Sequence, residues 1–275
     1  MEKEMELIML GTGHAMVTKC YNACFALRMG ERYFLVDAGG GNGILAQMEK
    51  AKIPFPKVQG MFVTHAHTDH ILGAVWVIRK VAALMRQGDY AGNFIVYCHD
   101  KVERLLRLMC EEMLPRKFSS FLDREVILET VKDGDKRTAA GMAVTFFDIH
   151  SVKEKQFGFL AVLPDGQKFA CLGDEPFQET CRAYVAGCDW LLCEAFCLDR
   201  DKEIFKPYEK KHSTALDAGK VAKELGARRL ALYHMEDSCL TQRKERYIRE
   251  AQIHFGGKVY APDDLERIRL GAARE

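Results

Sequence analysis

Three imidazoles and one carboxylate fall within six residues of this chain, in the run Thr64-His65-Ala66-His67-Thr68-Asp69-His70. The whole chain has nine histidines, so a third of them sit in one short segment, which chance explains poorly. In extended backbone, residues i and i+2 point the same way, so His65 and His67 can grip one ion. A helical pattern follows, and the turn into it redirects Asp69 and His70 toward a second position. Imidazole and carboxylate together suit zinc, manganese or iron. Two ions need further ligands, expected at the ends of strands. Three apolar runs end suitably: Val144 to His150, Phe169 to Asp174, and Leu230 to His234. A lone histidine at a strand end is ordinarily a surface residue; three such ends after the first motif form a set.

These residues need elements to carry them. Short apolar stretches predict strands at Leu7–Leu10, Cys24–Met29, Tyr33–Val36, Gly60–Thr64, Phe94–Cys98, Val126–Val131, Met142–Ile149, Phe157–Leu163, Lys168–Leu172, Trp190–Cys193 and Arg229–Tyr233. Helical spacing predicts helices over Gly43–Lys52, Ile71–Arg86, Lys101–Leu114, Ser213–Leu225 and Arg243–His254, with Gly226 placed to close the fourth. Strands first, then helix and strand mixed, occurs twice. That order implies two β-rich halves with helices outside them. No linker rich in Pro, Gly or Ser divides the 275 residues, so residues 1–275 read as one domain.

Composition narrows the function. With 48% hydrophobic and 29% charged residues, the chain is an ordinary globular protein. A formal net charge of +1 argues against a broad basic surface for a nucleic-acid backbone. Ten cysteines without any C-x-x-C pair, several in apolar stretches (Cys98, Cys171, Cys193), read as buried reduced thiols. Met1–Met9 carries three glutamates and no basic start, unlike a signal peptide, and the apolar run Ile71–Ile78 is far short of a membrane span. The expectation is a cytoplasmic protein with no membrane partner.

The ligand set resembles the metallo-β-lactamase superfamily, with motifs spread over most of the chain. That resemblance implies an α/β fold, a four-layer αββα sandwich, and a hydrolase with two divalent ions, most simply zinc. It implies that His65, His67 and His150 hold one ion, that Asp69, His70 and His234 hold the other, and that Asp174 bridges them. A bridging aspartate separates the chain from the antibiotic-hydrolysing lactamases that use a cysteine ligand. Asp37, in Val36-Asp37-Ala38-Gly39, matches the motif whose carboxylate supports the histidine loop.

Within the superfamily, Gly11-Thr12-Gly13 and His212-Ser213-Thr214 are similar to ribonuclease Z and its relatives. Cys193-Glu194-Ala195-Phe196 matches that family's His-Glu-Ala-Thr motif, departing at its first and last positions and keeping Glu194. The resemblance implies attack on phosphorus by hydroxide generated at the metals, Asp69 orienting the nucleophile, and His212, held by Glu194, protonating the leaving oxygen. Lys206, Lys210 and Lys211 lie beside His212 in sequence, either meeting a phosphate or forming a solvated charged loop. His14 is a candidate to line the pocket; His99 and His254 have no partner in the pattern.

Ribonuclease Z carries a long arm for transfer RNA between the motifs matching His150 and Asp174. Here that interval is 24 residues, which a hairpin through Pro164-Asp165-Gly166 fills. The expected substrate is therefore a small phosphodiester or nucleotide and not transfer RNA. A homodimer follows from the resemblance alone. Two rivals share the metal core: a lactonase or thioesterase, and a non-catalytic diiron or metal-sensing protein.

Overall fold

Two seven-stranded sheets face each other in the computed structural model, which describes residues 4–271. The first three residues of the acidic segment Met1–Met9 lie outside the described residues. Strands β1 (Met5–Gly11), β2 (Cys24–Met29), β3 (Arg32–Val36), β4 (Val58–Val63), β5 (Phe94–Cys98), β6 (Val126–Thr130) and β14 (Arg267–Arg269) form the first sheet, in the order β14-β1-β2-β3-β4-β5-β6. Strands β7 (Lys136–Ala139), β8 (Met142–Asp148), β9 (Phe157–Val162), β10 (Lys168–Cys171), β11 (Trp190–Glu194), β12 (Arg229–Tyr233) and β13 (Lys258–Tyr260) form the second, in the order β13-β12-β11-β10-β9-β8-β7.

Each sheet is antiparallel in one half and parallel in the other. The change follows the connections, since loops without long helices join the consecutive antiparallel neighbours and helices carry the chain back for parallel ones. Helices α1 (Gly43–Lys50), α2 (Thr68–Gln87) and α3 (Asp100–Met113) make the crossovers of the first sheet. The short helices α4 (Arg116–Ser119), α5 (Arg182–Val185) and α6 (Lys202–Phe205) are followed by α7 (Ala215–Glu224) and α8 (Leu240–Ala251), which cross over the second sheet.

Side-chain alternation sorts the core into three layers. Leu7, Phe25, Phe34 and Phe62 meet Phe146, Phe159, Phe169 and Trp190 between the sheets. On the outer face of the first sheet, Ile8, Leu35 and Met61 pack on Ala74, Val77, Ile78 and Leu106 from α2 and α3. On the outer face of the second, Ala170, Leu191 and Leu230 pack on Ala218, Ala222 and Tyr247 from α7 and α8. The architecture is the expected αββα sandwich. With both faces of each sheet covered, the central strands are apolar throughout, which is why they read as continuous hydrophobic runs.

Three strands escape the hydrophobic pattern: β7, β13 and β14. All are short and lie at sheet edges, and β13 and β14 each turn one aliphatic residue inward: Val259 between Lys258 and Tyr260, and Ile268 between two exposed arginines. All ten cysteines are free, eight of them buried. No helix among the described residues is long and apolar enough to cross a membrane.

Candidate metal centre

The carboxyl ends of β3, β4, β10, β11 and β12 lie along one edge, and each delivers a polar residue there: Asp37, His65, Asp174, Glu194 and His234. Open sheets with parallel strands leave a crevice at such ends. Asp37 and His234 both have left-handed backbone, φ 55° and 58°, which turns the chain sharply off its strand. For residues other than glycine this costs about 1–3 kcal/mol and clusters at functional sites.

Helix α2 starts at Thr68, so His65 and His67 precede it while Asp69 and His70 lie in its first turn. Nε2 of His65 and Nδ1 of His67 face each other at 2.9 Å. Asp37 organises the loop: its Oδ1 accepts from the Thr64 amide at 2.8 Å, and its Oδ2 accepts from Thr64 Oγ1 at 2.8 Å and lies 2.7 Å from Nδ1 of His70. Donation from Nδ1 leaves the Nε2 lone pair of His70 free to bind a cation. Gly73 lets α2 sit this close, because a Cβ there would fall 1.8 Å from the Ala38 carbonyl oxygen.

One oxygen ties the groups together. Oδ2 of Asp174 stands 3.7 Å from Nε2 of His65, 3.6 Å from Nε2 of His70 and 3.4 Å from Nε2 of His234. Oδ2 of Asp69 lies 3.4 Å from Nε2 of His70 and 3.6 Å from Nε2 of His234. Potential ligand atoms converge in three groups among the described residues: His65, His67 and Asp174; Asp69, His70 and His234; and Asp174, His212 and His234.

The group fits a pair of divalent cations. Nε2 of His70 and both ring nitrogens of His234 are buried without a hydrogen-bond partner, although buried polar atoms are nearly always paired. Burial favours neutral imidazoles at His65 and His67, which is the ligating form. Burial opposes ionisation of Asp69 and Asp174, yet the surrounding histidines hold both carboxyls below the usual carboxylate range. Burial also disfavours charge on His70, but Asp69 and Asp37 outweigh it and hold that imidazole well above its ordinary value. This spot therefore demands positive charge, which a metal ion would supply in place of the proton.

Beside the centre, Nδ1 of His212 lies 3.0 Å from Oε2 of Glu194 and 2.8 Å from the main-chain oxygen of Asp174. The other Glu194 oxygen accepts from the Ser213 amide at 2.7 Å. Burial pushes the Glu194 carboxyl well up and the His212 imidazole down. Phe196, which replaces threonine of the matching motif, stacks on His212 with centroids 4.6 Å apart and planes 6° apart. His14 packs on the other side of this region, 4.5 Å from Phe196. Its pKa falls to about 4 through burial and the neighbouring His234 and His212.

His150 is not brought to the group: it is exposed, its backbone is left-handed at φ 55°, and its amide donates to Asp148 Oδ1 at 2.7 Å. Of the lysines beside His212, Lys206 pairs with Glu203 at 2.8 Å, while Lys210 lies 5.1 Å over the Phe196 ring. His99 is buried at the end of β5, and His254 lies in the turn that follows α8. Two residues without a sequence signal reach the site from the loop after β8. Nζ of Lys153 is 3.4 Å from Nε2 of His212, and the buried Gln156 amide meets Asp174 at 2.6 Å.

Comparison with known proteins places this geometry. The family described as the beta-lactamase superfamily domain matches residues 32–235. Ribonuclease Z of Thermobifida fusca is 28% identical, over 98% of this chain and 96% of that one. That alignment runs to 319 residues against a chain of 275, so the relative carries upwards of roughly 40 residues with no counterpart here. Among solved structures, the short form of human tRNase Z superposes with a TM-score of 0.74 at 20% identity, over 98% of this chain and 100% of that one. A diphosphatase of the PhnP family superposes with a TM-score of 0.73 at 17% identity, over 98% and 100%. At these identities the structural matches establish the shared fold.

Proposed function

We propose, from the premise that this chain belongs to the beta-lactamase superfamily, that it is a binuclear metal-dependent phosphodiesterase acting on a small phosphodiester or nucleotide. The observation that carries this reading is the Glu194–His212 pair beside the Asp174 and His234 groups. A thiolate leaves without a proton, whereas an alkoxide leaving from phosphorus needs a proton donor. The ribonuclease Z relatives point the same way.

Two divalent ions, zinc on the ligand chemistry, would be held by His65, His67, Asp69, His70, His234 and Asp174, with His150 as the further ligand that the resemblance implies for the first ion; such ions lower the pKa of water and share charge on phosphoryl oxygens. Asp69 would also orient the attacking water. His212 would present Nε2 to the leaving oxygen while Glu194 holds Nδ1. Lys153, beside that Nε2, would meet a non-bridging phosphoryl oxygen.

β9 and β10 pair as a plain hairpin, Lys168 opposite Val162, and no arm extends from them. This favours a small substrate over transfer RNA. The shared apolar layer between the sheets supports one hydrolase domain, and ten free cysteines suit the reducing cytoplasm.

The test is hydrolysis of bis-p-nitrophenyl phosphate, set against lactones, thioesters and a transfer-RNA precursor, with zinc-loaded and chelator-treated protein. Phosphodiester cleavage lost on chelation and restored by zinc is expected. Turnover confined to lactones or thioesters, unaffected by His212→Ala, would sink the reading. Loading should also raise thermal stability, by about 2.7 kcal/mol at a hundredfold excess of metal over Kd.

A further inference from the structure

We infer that Glu175 sets the charge this cleft accepts: its buried carboxylate, fixed beside Lys153, admits the single negative charge of a phosphodiester and turns away the second charge of a phosphomonoester. This rests on the reading of the chain as a phosphodiesterase and concerns which phosphate ester the site prefers.

Glu175 is 3% exposed, and its Oε1 accepts from Ser151 Oγ at 2.6 Å. Ser151 Oγ in turn accepts from the amides of Lys153 at 3.2 Å and Glu154 at 3.1 Å. One hydroxyl thus folds the loop between β8 and β9 and ties it to Glu175. The charged side chains of that loop then divide. Glu154 pairs with Lys101 at 2.5 Å and Lys155 with Asp100 at 2.6 Å, both at the start of α3. Lys153 alone turns toward the site, its Nζ 3.7 Å from Oε1 of Glu175 and 3.4 Å from Nε2 of His212.

The consequence is electrostatic. A cation and an anion stand side by side next to the imidazole that would protonate the leaving oxygen. A phosphoryl group within reach of His212 is within reach of both. A phosphodiester carries one negative charge, which the Lys153 ammonium matches. At about pH 8 a phosphomonoester carries about two, and the second meets a carboxylate held in place by Ser151. Water and salt screen that repulsion poorly, because Glu175 is buried. Like charges roughly 6 Å apart at an effective dielectric constant of about 20 discriminate by about 10–100-fold.

Holding the loop does not by itself call for this residue. Any acceptor would serve the Ser151 hydroxyl, and a glutamine would do so without charge. A buried carboxylate is costly unless well paired, and here its partners are one hydroxyl and an ammonium group at 3.7 Å. Charge is what the neutral alternatives lack.

The experiment measures kcat/KM for bis-p-nitrophenyl phosphate and for p-nitrophenyl phosphate at about pH 8, in zinc-loaded wild type, Glu175→Gln, Lys153→Met and Ser151→Ala. The two substrates share a leaving group, so a change in their ratio between proteins reports charge selection. Binding is read apart from turnover, by calorimetry with dimethyl phosphate and with inorganic phosphate. Glu175→Gln keeps an acceptor for Ser151 and should lower the diester-to-monoester ratio by about 10–100-fold, with a matching gain for inorganic phosphate over dimethyl phosphate. Lys153→Met leaves the carboxylate unopposed and should raise the ratio. Ser151→Ala loosens the loop but keeps both charges, so its ratio should stay within about twofold of wild type. Folding is checked by circular dichroism; if Glu175→Gln does not fold, Glu175→Thr, equally uncharged, decides. An unchanged ratio in the folded Glu175 variant, a ratio lowered by Lys153→Met, or an equal shift in Ser151→Ala overturns this inference alone. A wild type that cleaves no phosphodiester overturns the phosphodiesterase reading, and this inference falls with it.

Discussion

Nδ1 of His212 is 3.0 Å from Oε2 of Glu194, and the Glu194 carboxylate is itself fixed by the Ser213 amide at 2.7 Å. The contact orients the imidazole so that Nε2, on the far side of the ring, is the atom able to give a proton. His212→Ala should lower kcat for phosphodiesters by about 10²–10⁴ with metal content unchanged. The loss should grow as the leaving group becomes a poorer one, because p-nitrophenolate needs little protonation and an alkoxide needs much. An equal loss for both kinds of ester would rule out the proton-donor role. Glu194→Gln should show the same trend at smaller amplitude.

Asp37 makes three contacts within 2.8 Å, two to Thr64 and one to His70. Removing them frees both the loop that carries His65 and the tautomer of His70. Asp37→Ala should weaken zinc binding about 10–100-fold. Asp37→Asn should be milder in stability, since asparagine tolerates the left-handed backbone, but should still lose affinity with the charge. Chelator competition decides, and a zinc affinity within twofold of wild type for Asp37→Ala would be the contrary result.

Lys153 places an ammonium group 3.4 Å from Nε2 of His212 and 3.7 Å from Oε1 of Glu175. Its role in anchoring an anionic substrate predicts a raised KM in Lys153→Met, by roughly tenfold, corresponding to about 1.4 kcal/mol for one charged hydrogen bond. The gap between variant and wild type should narrow with added salt, because this side chain is partly exposed and screened. Steady-state kinetics at low and high ionic strength would expose an unchanged KM, which would remove Lys153 from the site.

His99 is fully buried, with neither ring nitrogen hydrogen-bonded and Asp100 Oδ1 3.5 Å from Nδ1. Burial, with Lys155 nearby, lowers its pKa in the folded state. The unfolded chain then binds the proton more readily, so His99 contributes stability above about pH 6.5, lost as pH falls toward the folded value. His99→Leu should flatten the fall in stability between pH 7 and pH 5 while staying within about 1 kcal/mol of wild type above pH 7. Urea unfolding across that range tests this; parallel curves for the two proteins would show that His99 does not titrate on unfolding.

Much of the fold is legible in the chain itself. Continuous apolar runs mark strands covered on both faces, so β2 and β5 read to the residue; their succession with the helices gave two β-rich halves with helices outside, and the αββα sandwich came from the family resemblance. The edge strands β7, β13 and β14 were not legible, because pairing along one side only needs no sustained apolar pattern. The cluster of His65, His67, Asp69 and His70 depends on neighbours in sequence, which chain continuity alone keeps together. Asp174 and His234 could be read as strand ends pointing to the same edge.

His150 had the same local signature as His234, an apolar run closing on a histidine, and both residues adopt left-handed backbone at φ 55° and 58°. The sequence by itself determined the layers, the histidine run and the residue types available at the strand ends. Only the tertiary structure decided how closely those ends converge, and that Gln156 and Lys153 enter the site from a loop with no motif. The physical reason is that residue type and spacing set what a short segment prefers. The direction of a side chain past a strand's last hydrogen bond depends instead on how the loop is pinned, here by Thr64 and Ile149 from two different sheets.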